Sequence, residues 1–432
     1  MEARVFKHPL ILAMALGVAA TTAEAGALSE VYRLALQSDP QLKAARAISK
    51  ADAEVLAQRK STLLPDVKLT ADIGYRDSNP ESITDGNNNG FTVSLSQPVF
   101  RAENWFNYQA GKVLSEKASV EFSQVEQALI RRVVSAYLDV LQAQTVYETT
   151  QAEEAAFKRR LDQVQAQFEV GLIAVTDVEE SKAGYDLARV NRIVAKGNLD
   201  NSYEALDRLT GTTWDSVDLL RKDYKIERIS PADYQPWVKK ALDNNLSLQL
   251  ARMDVNVSSE NRKATESRHY PTLDLVASYG DTDTGSTGDT ESSFVGLNFN
   301  LPLYQGGRTS SEIRQSYQRW DASIQTQEDT KRGVIQQTRS LFRDLRTDVD
   351  SVAAREQSIN SAEAALEATE AGYSVGTRNI VDVLEAERRV FEAIRDYETA
   401  RYTFIRNQIS FKESLGTLNP EDVQQLDSWL EQ

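Results

Sequence analysis

The chain states one pattern twice, at a shift of about 205 residues, and this duplication limits its fold more than any other feature. Val170-Gly171 with Asp177-Val178 returns as Val375-Gly376 with Asp382-Val383. Pro65-Asp-Val-Lys-Leu returns as Pro271-Thr-Leu-Asp-Leu, and Ser94-Leu-Ser-Gln-Pro98 as Asn298-Phe-Asn-Leu-Pro302. Ala136-Tyr137 matches Leu341-Phe342, and Gly211 matches Gly416. Solenoid repeats recur every ~20 to 50 residues, so this period marks two copies of one large helix–strand–strand–helix unit. The expected division is a signal segment at 1–25, a first repeat at 26–211, a linker at 212–235, a second repeat at 236–416 and a short tail at 417–432.

Each copy reads the same way. Ala27 to Leu64 is expected to be helical and to stop at Pro65; Val67, Leu69, Ala71, Ile73 and Tyr75 then alternate with polar residues as a strand. A polar loop, Asp77 to Gly90, leads to a second strand around Phe91, Val93 and Leu95, with Pro98 at its end. From Arg101 to Val170 there is no proline, and apolar residues fall at steps of three and four, including Phe122, Val125, Leu129, Val133 and Ala136. That spacing predicts a helix of roughly 70 residues with coiled-coil packing, returning after Gly171 to about Leu209. The second copy predicts a helix over Ala232 to His269 and strands at Leu273 to Tyr279 and Val295 to Leu303. Long helices follow from Gly306 to Val375 and from Ile380 to Leu415. The linker and the tail read as irregular and polar, packed against the helices as a belt.

A net charge of -15 argues against nucleic acid as a partner, because phosphate binding needs clustered Lys and Arg. There is no cysteine, which removes disulfides, thiol nucleophiles and Cys-rich metal sites. Arg4 and Lys7, the apolar stretch Leu10 to Ala20 and Ala23-Glu24-Ala25 have the order of an export signal, giving a mature start near Gly26. No other segment approaches the ~18 apolar residues of a spanning helix.

Four strands of about ten residues suit a tilted crossing of a bilayer, but known barrels begin at about eight strands. An open edge in lipid leaves backbone groups unpaired at several kcal/mol each, so spanning strands require several chains to share one barrel. Two chains and three chains both satisfy this count. A soluble sheet joining two helical hairpins is the competing reading. Trp105, Phe106 and Tyr108 are candidates for an interfacial aromatic girdle or for helix packing.

At the second turn stands Ala371-Gly-Tyr-Ser-Val-Gly-Thr-Arg-Asn-Ile-Val-Asp-Val-Leu384, which closely resembles the TolC family of outer-membrane channel-tunnels, also called outer-membrane efflux proteins. Phe168-Glu-Val-Gly-Leu-Ile-Ala-Val-Thr-Asp-Val178, Leu301-Pro-Leu-Tyr-Gln-Gly-Gly307 and Leu415-Gly-Thr-Leu-Asn419 extend the likeness over Ala27 to Asp427. The resemblance implies a mainly α fold with membrane β: a homotrimer with a shared 12-stranded β-barrel, continued by an α-helical coiled-coil tunnel. It places the protein in the outer membrane of a Gram-negative bacterium, with a large periplasmic portion. The implied function is an exit duct for type I protein secretion or multidrug efflux. It would dock with an inner-membrane ABC or RND-type pump and a periplasmic adaptor, and open by untwisting of its helical hairpins.

Site residues follow from the same likeness. Asp382 and Glu385, three apart on one helical face, resemble carboxylates that line a constricted tunnel entrance, a ring that attracts cations. Glu385 stands where the family's best-known member has Asp. The spacing Asp-x-x-Glu is equally a capping-type pattern, repeated at Asp177-x-x-Glu180. Tyr373 and Arg378 resemble gate residues that tether the second hairpin to Thr176 and Asp177; ordinary polar side chains near a turn are the alternative. Val170, Gly171 and Leu172, with Val375, Gly376 and Thr377, form two hairpin tips where the resemblance places adaptor docking.

No enzyme is expected. His8 and His269 are the only histidines, and no Walker loop, nucleophile elbow or HExxH is present. Asp281 to Asp289 has the look of a calcium loop without EF-hand spacing, so no metal or cofactor is expected. The rival function is a periplasmic structural or adaptor coiled coil without a pore.

Overall fold

The computed structural model describes residues 27–77, 86–284 and 288–431. The expected signal segment, part of the first polar loop and the tip of the second lie outside them. The first copy runs α1 (Ala27–Ser38), α2 (Pro40–Ala53), α3 (Val55–Ser61), β1 (Asp66–Arg76), β2 (Gly86–Phe100), α4 (Ala102–Glu169) and α5 (Val175–Thr210). The second runs α6 (Gln235–Asn244), α7 (Leu246–Glu266), β3 (Thr272–Thr284), β4 (Gly288–Asn300), α8 (Arg308–Ser374) and α9 (Ile380–Ser414), followed by α10 (Pro420–Asp427).

The long helices match expectation to within a few residues. At ~1.5 Å per residue the 68 residues of α4 reach roughly 100 Å. The opening helices do not match. Ala27 to Leu64 is broken at Asp39, which accepts from the Gln41 amide and places Pro40 in the first turn of α2. Proline has no N–H to continue the ladder of α1 and fits a helix start, so the chain restarts there. In the second copy Asn245 caps α7 through the Leu248 amide and ends α6, dividing the helix expected over Ala232 to His269. The tail, expected to be irregular, contains α10, started by an Asn419–Asp422 capping box.

The four strands form one antiparallel sheet in the order β1-β2-β3-β4. Register puts Val67 beside Leu95, Leu95 beside Ala277, and Leu275 beside Leu297, so one face carries nearly all the large apolar side chains. The opposite face carries Thr70, Thr92, Ser94, Ser278, Ser292 and Asn298. Both hairpins extend further than read: β2 begins at Gly86, and Thr282 and Asp283 pair with Thr290 and Asp289. Polar residues there continue the ladder because backbone pairing needs no apolar side chain. Pro98 lies inside β2 beside a register shift, which accommodates its missing donor. Where the sheet meets the helices, Phe100, Trp105, Tyr270 and Tyr304 are exposed, whereas Phe106 and Tyr108 are half-buried.

The main core surrounds the middle of α4, where Leu129, Val133, Tyr137 and Leu141 pack with Leu28, Leu206, Phe404 and Ile405. The linker and tail meet there as a belt. Leu220 bridges Leu430, Glu431 donates its amide to Leu219, and the Tyr137 hydroxyl donates to the Asp218 carbonyl at 2.8 Å. Arg101 closes a bidentate pair on buried Asp274, joining the start of α4 to β3 of the other copy. Among the described residues no helix is long and apolar enough to cross a membrane.

Candidate functional site

The hairpin ends are built alike. Gly171 and Gly376 take φ of 80° and 79°, the left-handed region that favours glycine. The Gly171 amide donates to Phe168 and the Leu172 amide to Gln167; Gly376 and Thr377 repeat this on Tyr373 and Gly372. These paired bonds are Schellman closures that satisfy the last carbonyls of α4 and α8. The turns leave Val170, Leu172, Val175 and Val375 exposed, two apolar tips side by side on one end of the chain.

A second apolar cluster sits just above the tips. Phe157 and Val164 of α4, Ala188 of α5, and Ile380, Val383 and Leu384 of α9 are buried together, with Tyr373 half-buried against them. Gly184 makes room for the Phe157 ring, whose carbons lie 3.0 Å from where a Cβ would stand. We expect Gly184→Ala to cost about 1–3 kcal/mol through overpacking and to lower the thermal unfolding midpoint without altering helix content, measured by circular dichroism.

The two copies start their return helices differently. Asn379 caps α9 by accepting from Asp382 N–H at 2.8 Å, while Asp382 accepts from Asn379 N–H at 3.4 Å. Asp382 therefore closes a capping box as its N3 member, with Asn379 as the cap, three residues earlier than the box the Asp-x-x-Glu spacing implied. The equivalent of Asn379 in the first copy is Ala174, which has no side-chain acceptor, so Asp177 is released from that duty. Glu385 takes no part in the cap. Its carboxylate meets Arg388 at 3.0 Å and Arg389 at 3.4 Å.

The four gate candidates converge on this end of the chain. Within one chain the Arg378 guanidinium lies 3.9 Å from Asp382 rather than on Asp177, and its side chain is 61% exposed. Its stem lies across Gly372, where a Cβ would come within 2.8 Å of Arg378 Cγ. The Tyr373 hydroxyl is buried with no hydrogen-bond partner among the described residues. Burial first, and the nearby Asp177 charge second, push its phenol above the ordinary range. Thr176 is exposed and Asp177 half-buried.

Arg160, Glu370 and Glu387 were not among the sequence candidates. Arg160 of α4 pairs with Glu370 of α8 and lies 3.8 Å from Glu387 of α9, thus tying one hairpin to the other. The Arg160 and Glu387 side chains are only 14% and 12% exposed, and Glu387 Oε2 has no hydrogen-bond partner among the described residues. Burial raises the Glu387 carboxyl above the ordinary range, with the Arg160 charge pulling the other way. The folded chain then holds this proton more tightly than the unfolded chain does. Glu387 accordingly lowers stability as pH rises from the ordinary carboxylate range through the raised one. One signal was readable: Glu387 follows Ile380, Val383 and Leu384 on the same three-four stripe, an acid at an apolar position. Its partner was not readable, since Arg160 lies in the other copy.

No groups of His, Cys, Asp or Glu placed to hold a metal occur among the described residues. The arrangement is a hairpin end made of apolar tips, inter-hairpin ties and charged helix starts. The outer membrane efflux protein family model matches residues 31–212 and again 237–417. The outer membrane protein TolC of Salmonella enteritidis is 35% identical over 98% of this chain and 88% of that protein. The alkaline protease secretion protein AprF of Pseudomonas aeruginosa is 28% identical over 92% of this chain and 86% of its own length. Among solved structures, the outer membrane protein VceC of Vibrio cholerae superposes with a TM-score of 0.77 at 18% identity, covering 90% of this chain and 96% of that one, a likeness of fold. A double family match and near full-length identity to TolC proteins identify this chain as a member of the outer membrane efflux protein family.

Proposed function

We propose that three copies of this chain form an exit duct through the outer membrane, and that the helical hairpins reach into the periplasm to meet a pump assembly. The carrying observation is the sheet. Its apolar face is exposed, with Ile73 at 90% and Val295 at 76%, and its order leaves β1 and β4 as antiparallel edges. β4 of one copy can pair with β1 of the next in the same alternation, which closes the sheet and removes edges that lipid does not tolerate. Two copies would give eight strands, whose interior side chains fill; a third opens a bore. Relatives named outer membrane protein TolC and alkaline protease secretion protein support an outer-membrane exit duct; in this reading its cargo arrives from an inner-membrane pump of ABC or RND type through a periplasmic adaptor.

In this reading Asp382 and Glu385 line the entrance, Arg378 reaches Thr176 and Asp177 of a neighbouring copy, and untwisting of the hairpins opens it. The exposed tips, from Val170 to Leu172 and from Val375 to Thr377, receive the adaptor. The test is reconstitution of purified trimers into planar bilayers. Discrete cation-selective channels are expected, and well-folded trimers without them would sink the reading. Leucine at Gly171 or Gly376 should lower pump-dependent export in cells while leaving trimers and bilayer conductance intact. Both positions have open space around the missing Cβ but hold φ of 80° and 79°, so leucine also strains the turn, and unchanged conductance of the assembled trimers separates a docking defect from a damaged hairpin.

A further inference from the structure

The polar face of the sheet contains one exposed aromatic ring, and we infer that Phe294 is a specificity-determining residue of the duct, a platform inside the barrel on which aromatic groups of passing cargo stack. The inference rests on the duct reading given above. Phe294 shares its face with Ser292, Asn298, Ser278 and Ser94, the last two being its neighbours along the row through β3 and β2. This is the side opposite Val67, Leu275 and Leu297, hence the lumen side of a closed barrel. The ring is 57% exposed although it stands near the middle of β4, far from the loops and from the helix junction.

Its posture is set by Gly296. A Cβ at Gly296 would lie 2.7 Å from Phe294 Cζ and 3.1 Å from Cε1, so the ring leans along the wall over the glycine rather than toward the barrel axis. An aromatic lying flat obstructs little of the bore and turns one π-face to the cargo. Ser94, Ser278 and Asn298 around it offer hydroxyl and amide groups; the charge in the same row is Lys68, beyond Ser94 and paired with Asp66, so the ring is the apolar surface the row presents to cargo. Three copies would place three such faces at one level of a mainly polar wall, each beside Val276, which pairs with Gly296.

The probes are tryptophan amide and glycinamide, which share an amine and differ in the ring. Each is added to the extracellular side of reconstituted trimers in a planar bilayer, and the reduction of ion current is titrated. Both the wild-type chain and the Tyr373→Phe/Arg378→Ser variant are used, since a wider entrance puts the barrel in control of the current. Acidic groups at the entrance act on both amines alike, and the difference between the probes isolates the ring. We expect tryptophan amide to block at concentrations roughly two- to tenfold below glycinamide, the scale of one aromatic contact. Phe294→Ser should erase that difference and Phe294→Tyr should keep it. Equal block by the two amines in the wild-type chain, or an undiminished difference in Phe294→Ser, overturns the inference. Should Phe294→Ser not assemble, Phe294→Leu replaces it: loss of the difference supports stacking, and retention overturns it. Absence of any wild-type channel would instead count against the duct itself.

Discussion

Replacing Tyr373 by Phe and Arg378 by Ser is expected to raise the single-channel conductance of reconstituted trimers several-fold, with Arg378→Ser carrying most of the rise. The unequal split follows from the geometry. The Tyr373 hydroxyl has no partner among the described residues, so its removal deletes no bond there and relieves a buried polar group. Arg378 is largely exposed and held only loosely by Asp382 at 3.9 Å, which leaves it available to a neighbouring copy. Arg160→Ala should act in the same direction through a different tie. It leaves Glu370 and Glu387 facing each other without their shared cation, at a cost of roughly 1–3 kcal/mol once partial exposure is discounted. Conductance measured for the single and double variants decides the matter. An unchanged double variant would remove these side chains from the closed state, and a dominant Tyr373→Phe would mean that its hydroxyl finds an acceptor only in the trimer.

Neutralising the entrance carboxylates has the second large effect. Asp382→Asn with Glu385→Gln should take the channel from cation-selective to anion-selective, read as a reversed zero-current potential across a salt gradient. In each chain Asp382 and Glu385 stand among Arg378, Arg388 and Arg389, so the local charge is a close balance rather than a simple acidic ring. Removing two negative charges per chain leaves the arginines to set the field, and the change should shrink as salt screens it. Asparagine at position 382 keeps an oxygen for the Asn379 amide, so the helix cap survives and an altered selectivity reports charge. An unmoved potential would place these carboxylates away from the conduction path, leaving Asp382 as a cap alone.

The candidate site was legible where its information is local. Val170-Gly171 and Val375-Gly376 were readable as turns because glycine just past a long apolar stripe supplies the left-handed residue that closes a helix. Asp382 was readable as a helix-start residue, although its partner proved to be Asn379 upstream rather than Glu385 downstream. The ties between hairpins were not readable. Arg160 and Glu370 are charged residues on long charged helices, and only the packing of α4 beside α9, which brings Arg160 within reach of Glu370 and Glu387, distinguishes them from solvated neighbours.

The same division runs through the fold. Strings recurring at a shift of about 205 residues determined the duplicated unit, and periodicity determined the long helices to within a few residues and four strands with one apolar face, because these depend on side chains a few positions apart. The breaks at Asp39 and Asn245 and the tail helix rest on local caps, Asp39 before Pro40, Asn245, and Asn419 with Asp422, which apolar periodicity does not register. The order β1-β2-β3-β4 with its two free edges came only from the tertiary structure, because it depends on which surfaces meet after the chain has turned back on itself. The joining of β2 to β3 across everything from α4 to α7 is the clearest case: no local pattern encodes it, yet it makes two repeats into one sheet.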